Sequence, residues 1–395
     1  MVAVLRRGPG PVGWAGPEVL GTVVGPEATR GGNPMGTIFF TGFPGFLGVE
    51  LLPRVLRRSA EDRAVCLVQD KFAGLARQRV DELVGRHPDL AGRISLVEGD
   101  ITVANLGLDD AGAAAAPVTE IWHLAAVYDL GVPREVGMRV NVDGTRHILD
   151  FAERAPGLNR LQYVSTCYVS GRYTGPYAET DLDVGQSFNN FYEETKFLAE
   201  ADVQRRRDAG LPTTIYRPAV VVGDSATGAT QKYDGPYFAL QWLLRQKRIA
   251  FMPVVGDPTS YRFNLVPRDF VVDAVAHLSG LDRAKGKVYQ LADPHPLTVD
   301  QFLREAARAT GRRMVRLPLT RRLAKFAVRR VPGVHDVMRI PADAIDYMTH
   351  PTHYLTANQA DLDGSGIACP RVPEYLPVLV DHMRRHPDVS SSAMI

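Results

Sequence analysis

The sequence has 395 residues, 45% of them hydrophobic and 23% charged, which is a globular composition and enough for one large or two modest domains. The formal net charge of +2 lacks the basic excess of a nucleic-acid-binding protein, and no apolar run is long enough to span a bilayer. The three cysteines, Cys66, Cys167 and Cys369, are too widely spaced for a disulfide framework or a zinc motif, so we expect a reducing cytoplasm.

The first 35 residues differ from the rest of the chain. They are rich in glycine and proline and show no sustained hydrophobic period. The short apolar stretch within them is interrupted by Gly21 and closed by Gly25, so it makes a poor signal-peptide core. We expect a disordered N-terminal extension over residues 1–35, or a true start of the protein at Met35.

From residue 36 onward, short apolar runs that predict strands alternate with runs that predict helices. The predicted strands of the first half are residues 37–42, 64–69, 93–100, 120–126, 161–166 and 213–223. The predicted helices between them are residues 46–58, 76–86, 134–155 and a stretch around 189–200. This alternation is the signature of a doubly wound parallel sheet, so we expect an α/β fold with a Rossmann-type domain over residues 36–223.

The alternation loosens after Gly223. Helices are predicted at residues 236–248 and 298–311, and strands at residues 287–293 and 313–319. Residues 264–280 predict an extended entry followed by a helix. We expect a smaller C-terminal α/β lobe, mainly residues 224–395, that binds the substrate. The chain should return to the Rossmann-type sheet between about residues 264 and 293.

Three glycines follow the first predicted strand in the run TGFPGFLG, residues 41–48. Gly42, Gly45 and Gly48 permit a tight turn and let backbone N–H groups approach a diphosphate. The start of the following helix adds a partial positive charge. The spacing differs from the commonest dinucleotide fingerprint, but its place after the first strand favours phosphate binding, with Phe46 and Leu47 in the same turn.

The ends of the next strands indicate how the adenosine of a dinucleotide would be bound. Strand two ends at Gln69, and Asp70, Lys71 and Arg77 follow. An acidic residue at this place favours NAD, and a basic residue accommodates the extra phosphate of NADP, so we expect a slight preference for NADP(H) over NAD(H). Residues after strands three and four are expected to flank the cofactor, namely Asp100, Ile101, Leu124, Ala125 and Ala126.

Tyr192 and Lys196 lie four residues apart in a predicted helix, and such a pair alone is an ordinary feature of an exposed helix face. The preceding strand ends near Thr166 in the same crevice, so Thr166 and Tyr192 can converge on one substrate oxygen. A lysine ammonium beside a phenol stabilises the phenolate and lowers its pKa, and the threonine hydroxyl can hold the oxygen. Together the three predict hydride transfer to a carbonyl, with Tyr192 as general acid.

These motifs resemble those of the extended short-chain dehydrogenases/reductases over about residues 36–300. TGFPGFLG is similar to the family's Thr-Gly-x-x-Gly-x-x-Gly, and YEETK to its Tyr-x-x-x-Lys. VSTCYVSG resembles the segment whose Ser or Thr completes the triad, where alignment on Gly171 selects Thr166. In NVDGT, Asn141 takes the place of the family's structural, water-relaying asparagine. The run at residues 216–228 is similar to the segment that passes the nicotinamide, which implies cofactor contacts from Pro218, Ala219 and Val221.

Within that family, the segments VSTCYVSG, VVGDSATG with the later YDGPYFAL, and HPTHYL look closest to the thioester reductase domains and fatty acyl reductases of the male-sterility type. The resemblance implies NADPH-dependent reduction of a lipophilic or polyketide-like acyl group that arrives as a CoA ester or on a separate carrier. Gln69 departs from the arginine that is common at that place in the branch. The alternatives are a sterol-type hydroxy dehydrogenase, or a nucleotide-sugar epimerase or dehydratase with tightly bound NAD. The intact Thr166, Tyr192 and Lys196 set argues against a nucleotide-binding scaffold without turnover.

Three further features lie outside this constellation. His350 and His353 have no third ligand nearby, so we expect no metal site. Cys167 is expected to be a small buried hydrophobe. Residues 320–331 form a basic amphipathic stretch that suits peripheral contact with a membrane or an acidic carrier protein, although most such stretches are a solvated helix face. A homodimer is left open.

Overall fold

A computed structural model describes residues 36–129, 131–319 and 349–389. The predicted extension over residues 1–35 and the basic stretch at residues 320–331 lie outside these described residues. Among the helices within them, none has the length and apolar character needed to cross a membrane.

Seven parallel strands form the central sheet, and the predicted Rossmann-type α/β fold is confirmed. In spatial order they are β12, β7, β5, β4, β1, β2 and β3. Their bounds are β1 Thr37–Thr41, β2 Arg63–Val68, β3 Ile94–Glu98, β4 Val118–His123, β5 Arg160–Val164, β7 Thr213–Pro218 and β12 Val288–Leu291. The strand order reverses beside β1, so a crevice opens at its carboxyl end, where such folds bind ligands.

The smaller strands pair outside this sheet. They are β6 Gly175–Tyr177, β8 Val220–Val222, β9 Ile249–Val255, β10 Arg262–Phe263, β11 Leu265–Pro267, β13 Leu297–Thr298, β14 Arg313–Leu319 and β15 Thr352–Tyr354. β8 pairs with β11 and β9 with β14, both in parallel, while β10 and β13 pair antiparallel. β6 pairs with β15.

Ten described α-helices accompany the strands. They are α1 Gly48–Leu56, α2 Asp70–Arg86, α3 Ala111–Ala115, α4 Arg134–Gly137, α5 Gly144–Glu153, α6 Phe191–Asp208, α7 Pro236–Arg245, α8 Arg268–Ser279, α9 Val299–Thr310 and α10 Val372–Arg385. α6 begins after Asn190, whose side chain accepts a hydrogen bond from the Glu193 N–H. α9 begins after Thr298, which forms a capping box with Gln301, and it ends at Gly311 in the left-handed conformation.

Three elements differ locally from the predicted ones. α2 begins at Asp70, before the predicted start at residue 76. Gly74 weakens the helical sequence pattern over the first turns, which concealed them, but it does not end the helix. The predicted strand 213–223 divides into β7 and β8 at Pro218, which has no N–H to extend the ladder. The predicted helix 134–155 contains one π-helical segment, Met138–Asp143, between α4 and α5.

The central sheet is buried on both faces. Phe40 of β1 packs with Trp122 in one core, and the next residue along the strand, Phe39, packs with Phe151 in the other. This is the alternation expected of a parallel sheet covered by helices on each side. A separate core joins α7, β9, α9 and α10, and it includes Tyr237, Met252 and Leu376.

Candidate active site

A cavity of about 700 Å³ lies at the carboxyl ends of the central strands. The predicted cofactor residues all line it: Gly42, Gly45, Phe46, Leu47, Gly48, Gln69, Lys71, Asp100, Ile101, Leu124, Ala125, Ala126, Tyr192, Lys196, Pro218, Ala219 and Val221. Thr166 lines it as well. The structure therefore brings the glycine turn, the segment with Thr166 and the Tyr-x-x-x-Lys helix to one cavity. Asn141 is not among the described lining residues.

The glycine turn between β1 and α1 is packed around one carbonyl oxygen. Gly42 has a φ of 87°, and a Cβ there would lie 2.8 Å from the backbone of Leu124. A Cβ on Gly45 or Gly48 would lie 2.7 Å or 2.5 Å from the Gly42 carbonyl oxygen, which accepts the Gly45 N–H at 2.9 Å. Side chains are thus excluded from a turn that leads into a helix N-terminus, a geometry that fits the diphosphate of a dinucleotide.

At the end of the cavity beside β2, the start of α2 contributes the basic residue Lys71 to the lining but not the acidic residue Asp70. Gln69 precedes α2, and Lys71 lies with its Nζ 5.0 Å from the ring centre of Phe72. Asp70 and Arg77 are not among the described lining residues, although both are in the same helix. Asp100 accepts a hydrogen bond from the Thr102 N–H at 2.8 Å within its own loop.

Tyr192 and Thr166 line the cavity together. Burial raises the pKa of the Tyr192 phenol, and the nearby Thr166 hydroxyl lowers it. Thr166 also caps the short 3₁₀ helix Cys167–Ser170 by accepting the Tyr168 N–H, which fixes its hydroxyl. The phenol is therefore protonated at neutral pH and able to act as a proton donor.

Lys196 lies one turn after Tyr192 on the same face of α6. Its Nζ donates to the Tyr163 hydroxyl at 3.2 Å and to the Val164 carbonyl at 2.9 Å. Burial lowers the pKa of Lys196 to about 8, while the Glu200 carboxylate raises it. The ammonium is thus held by β5. The group that lowers the pKa of Tyr192 is the Thr166 hydroxyl rather than the predicted Lys196 ammonium.

Sequence reasoning did not identify the buried ion pair below Lys196. Glu200 and Arg217 are both 0% exposed, and the Arg217 Nη2 lies 2.6 Å from Glu200 Oε1. Ser165 also donates to Glu200, and these bonds hold the pKa of Glu200 low despite burial. Continuing the four-residue spacing of Tyr192 and Lys196 to Glu200 was the available signal.

Asn141 connects the π-helical segment to two neighbours. Its Oδ1 accepts the Val127 N–H at 2.9 Å, and its Nδ2 donates to the Val127 carbonyl and to Thr195 Oγ1. The amide is buried and joins the loop after β4 to α6. It is placed to position Tyr192 through α6, without lining the cavity itself.

The outer wall of the cavity comes from loop residues with no recognisable motif. The ring of Tyr128 meets the ring of Tyr192 edge-on, with centroids 5.0 Å apart. Lys232 lies 5.1 Å from the centre of the Tyr128 ring and pairs with Asp234 at 3.0 Å. No periodicity marks these positions, so their place in the site depends on the tertiary fold.

The two remaining candidates from the sequence have structural partners. His350 is buried, its Nε2 lies 2.8 Å from the Tyr354 hydroxyl, and burial lowers its pKa to about 3. Cys167 is buried and its Sγ donates to the Arg217 carbonyl, and burial raises the pKa of the thiol. Within the described residues there is no cluster of three His, Cys, Asp or Glu that suits a metal ion.

Comparison with known proteins adds three findings. The family described as "Male sterility protein" matches residues 40–275. Glycine betaine reductase ATRR of Emericella nidulans is 31% identical over 278 residues, which are 66% of this chain and 21% of that protein. The chain thus spans about a fifth of that relative. 3-beta-hydroxysteroid dehydrogenase of Mycolicibacterium neoaurum is 28% identical over 74% of this chain and 75% of its own length.

A solved structure extends the likeness to most of the chain. The terminal R domain from the myxalamid PKS-NRPS biosynthetic pathway superposes with a TM-score of 0.77 and 27% identity, covering 90% of this chain and 92% of that domain. Fold and cavity together define a Rossmann-type NAD(P)-binding oxidoreductase of the extended short-chain dehydrogenase/reductase class. Within that class, the chain belongs to the male sterility protein family, on the thioester reductase branch that its motifs resemble.

Proposed function

We propose that the protein reduces an acyl thioester or a related carbonyl on a lipophilic or polyketide-like substrate, with NADPH as the reductant. The observation that carries this proposal is that Thr166, Tyr192 and Lys196 line the same cavity as the glycine turn. The likeness to glycine betaine reductase and to the R domain supports reduction of an activated acyl group. A thioester substrate would arrive as a CoA ester or on a separate carrier.

Each residue of the constellation has a distinct task in this mechanism. Bound NADPH would supply the hydride that adds to the carbonyl carbon. Tyr192 donates its phenolic proton to the carbonyl oxygen, and the Thr166 hydroxyl hydrogen-bonds the same oxygen as negative charge develops. Lys196, held by Tyr163 and Val164, places a positive charge near this oxygen and near the cofactor ribose. With a thioester, loss of the thiol from the reduced adduct yields an aldehyde.

The substrate lobe is part of the proposal. We infer that residues from 224 onward form a lobe around the separate core of α7, β9, α9 and α10. In the described part of that lobe, Thr230, Gln231, Lys232 and Asp234 line the cavity. Tyr233 donates to the His386 carbonyl at 2.9 Å, which fastens this lining segment to the end of α10.

A variant series tests the catalytic assignment. Tyr192→Phe removes only the phenolic oxygen, and kcat should fall by about 10²- to 10⁴-fold, the usual effect of losing positioned acid–base catalysis. Thr166→Ala should lower kcat with little effect on cofactor binding, whereas Lys196→Ala should also raise the KM for the cofactor. The assay follows NADPH absorbance with acyl-CoA, carrier-bound acyl and hydroxysteroid substrates. Tyr192→Phe retaining more than about half of the wild-type kcat would refute the mechanism.

A second candidate is oxidation of a sterol-type hydroxyl by the same residues acting in reverse. The steroid dehydrogenase relative favours it, because the match covers about three-quarters of both chains. The substrate panel separates the two: turnover of hydroxysteroid with NAD(P)⁺, and none of acyl thioesters with NADPH, would select the second candidate.

The proposed cofactor preference is also testable. Lys71 lines the cavity and Arg77 does not, so only Lys71 should contact a 2′-phosphate. Lys71→Gln should lower kcat/KM for NADPH by about ten- to a hundred-fold, as expected for a hydrogen bond to a charged group, and leave NADH unchanged. Arg77→Gln in the same helix is the matched control. A wild-type preference for NADH would mean that Asp70 determines the cofactor.

A further inference from the structure

Four large apolar side chains are exposed together on the two-stranded sheet of β9 and β14. The alternate residues of β9, including Ala250 and Met252, pack on the separate core of the lobe. The opposite face carries Ile249, Phe251, Val315 and Leu317, which are 55%, 48%, 43% and 42% exposed. Phe251 is the register partner of Val315, so the four side chains are adjacent on one surface. A contiguous apolar patch of this kind marks a binding surface.

Basic residues outnumber acidic ones around this face. Residues 243–256 and 306–319 contain no Asp or Glu, and their basic residues are Arg245, Lys247, Arg248, Arg308, Arg312, Arg313 and Arg316. Lys247, Arg248 and Arg313 are exposed at the end of the strands where Ile249 lies. In the described part of the chain, Arg316 pairs with Asp300 and Arg308 with Glu305. The face is therefore apolar with a positive margin, and its partner must be apolar with a negative one.

Pairing with a second copy through the strand edge is opposed by the backbone hydrogen bonding. The Phe251 N–H donates to Gln246 Oε1 at 2.8 Å, and its carbonyl accepts from Trp242 Nε1 at 2.7 Å. At Phe251, in the middle of β9, the backbone groups that strand addition would use are thus already bonded within the chain. Pro253 and Pro318 lack the N–H that a ladder needs. Two copies of a positive face would also repel each other.

We propose that this face binds the surface of an anionic membrane. Ile249, Phe251, Val315 and Leu317 enter the boundary between headgroups and acyl chains, and the neighbouring cations contact the lipid phosphates. An acidic protein shares the charge requirement, but helical partners dock in a groove, and these four side chains do not line the cavity described above. The proposal stands independently of the reaction, although it would place the enzyme where lipophilic substrates are dissolved.

The test is co-sedimentation of the full chain with vesicles of phosphatidylcholine alone or mixed with phosphatidylglycerol. We expect binding to the mixed vesicles only, weakening as salt is raised. Lys247→Gln with Arg248→Gln should weaken binding about thirty-fold, since two cations near an anionic surface are removed. Phe251→Ser with Val315→Ser should reduce it at least about tenfold, because apolar area no longer enters the lipid.

The controls separate the face from net charge and from folding. Arg63→Gln with Arg86→Gln removes the same charge from exposed positions of the central domain and should leave vesicle binding unchanged. NADPH affinity, measured by fluorescence, should be unchanged in every variant, which shows that each is folded. Binding that survives both face variants, or the absence of binding to mixed vesicles, overturns the proposal. So does a result in which the face variants abolish a dimer, or binding to an acidic carrier protein, instead of vesicle binding.

Discussion

The charge state of Lys196 depends on two opposing neighbours. Lys196 is only 4% exposed to solvent, and this burial lowers the pKa of its ammonium group to about 8. Glu200, one turn further along α6, raises that pKa. Without the carboxylate, the ammonium would lose its proton closer to neutral pH, so the buried acid helps to keep Lys196 charged where the enzyme is proposed to work.

This balance predicts a pH dependence. Lys196 is protonated below its pKa and loses the charge as the pH rises through about 8, so reductase kcat/KM for the cofactor should fall over that interval. The measurement is the pH profile of the wild type beside Lys196→Arg, whose guanidinium stays charged. The arginine variant should be slower but should lose the alkaline decline. A decline near pH 8 that persists in Lys196→Arg would assign it to another group.

Some residues of the site were predictable from sequence and others were not. Thr166, Tyr192 and Lys196 follow a strand and a helix whose order places them in one crevice, and the structure brings all three to the cavity. Tyr128 and Lys232 belong to loops, and their proximity to Tyr192 depends on how the lobe segment folds back. No spacing rule reaches across such distances, so these two were missed.

At the scale of elements, the pair of Glu200 and Arg217 joins α6 to β7. Arg217 donates to Glu200 through Nε and Nη2, and its other bonds reach the carbonyls of Glu179 and Asp181. Removing one partner leaves a buried charge without compensation, which is far more costly than losing an exposed pair. The pair therefore sets the position of the helix that carries Tyr192 and Lys196.

We expect Glu200→Gln to lower the free energy of unfolding by about 3–5 kcal/mol, the usual effect of breaking a buried ion pair. Glu194→Gln is the matched control, because Glu194 lies on the same helix and pairs with Arg134 at the surface, where little stability is at stake. Urea unfolding at neutral pH measures both. Equal losses in the two variants would show that the buried pair is not what holds α6 on β7.

The elements themselves were predicted best where the hydrophobic pattern is regular. β14 has the predicted bounds, 313–319, and α9, Val299–Thr310, lies within one residue of the predicted range 298–311 at each end. The start of α2 and the division of the strand at Pro218 were missed, because one glycine and one proline act locally against the wider pattern. The pairing of β9 with β14 was not predictable, since their contact is made between segments distant in the sequence.

At the scale of the molecule, the cavity walls come from a limited part of the chain. The described lining residues lie between Thr41 and Asp234, and the later segments support them from behind. Tyr237 of α7 accepts the Gly223 N–H at 2.8 Å, and Tyr375 of α10 donates to the Leu265 carbonyl. The C-terminal helix is thus structural for the site, although it contributes none of the described lining residues.

Two truncations should therefore behave differently. A chain starting at Met35 should bind NADPH with a dissociation constant within about twofold of the full chain, because the described lining begins at Thr41.

Deleting residues 372–395 removes Tyr375, Leu376 and Leu379, each 1% exposed, and uncovers the core that they share with α7 and α9. That loss of buried apolar area should abolish cooperative unfolding and cofactor binding together. Calorimetry and thermal unfolding decide both outcomes. A stable, NADPH-binding chain without α10, or a Met35 chain that no longer binds, would mean that the site is supported differently.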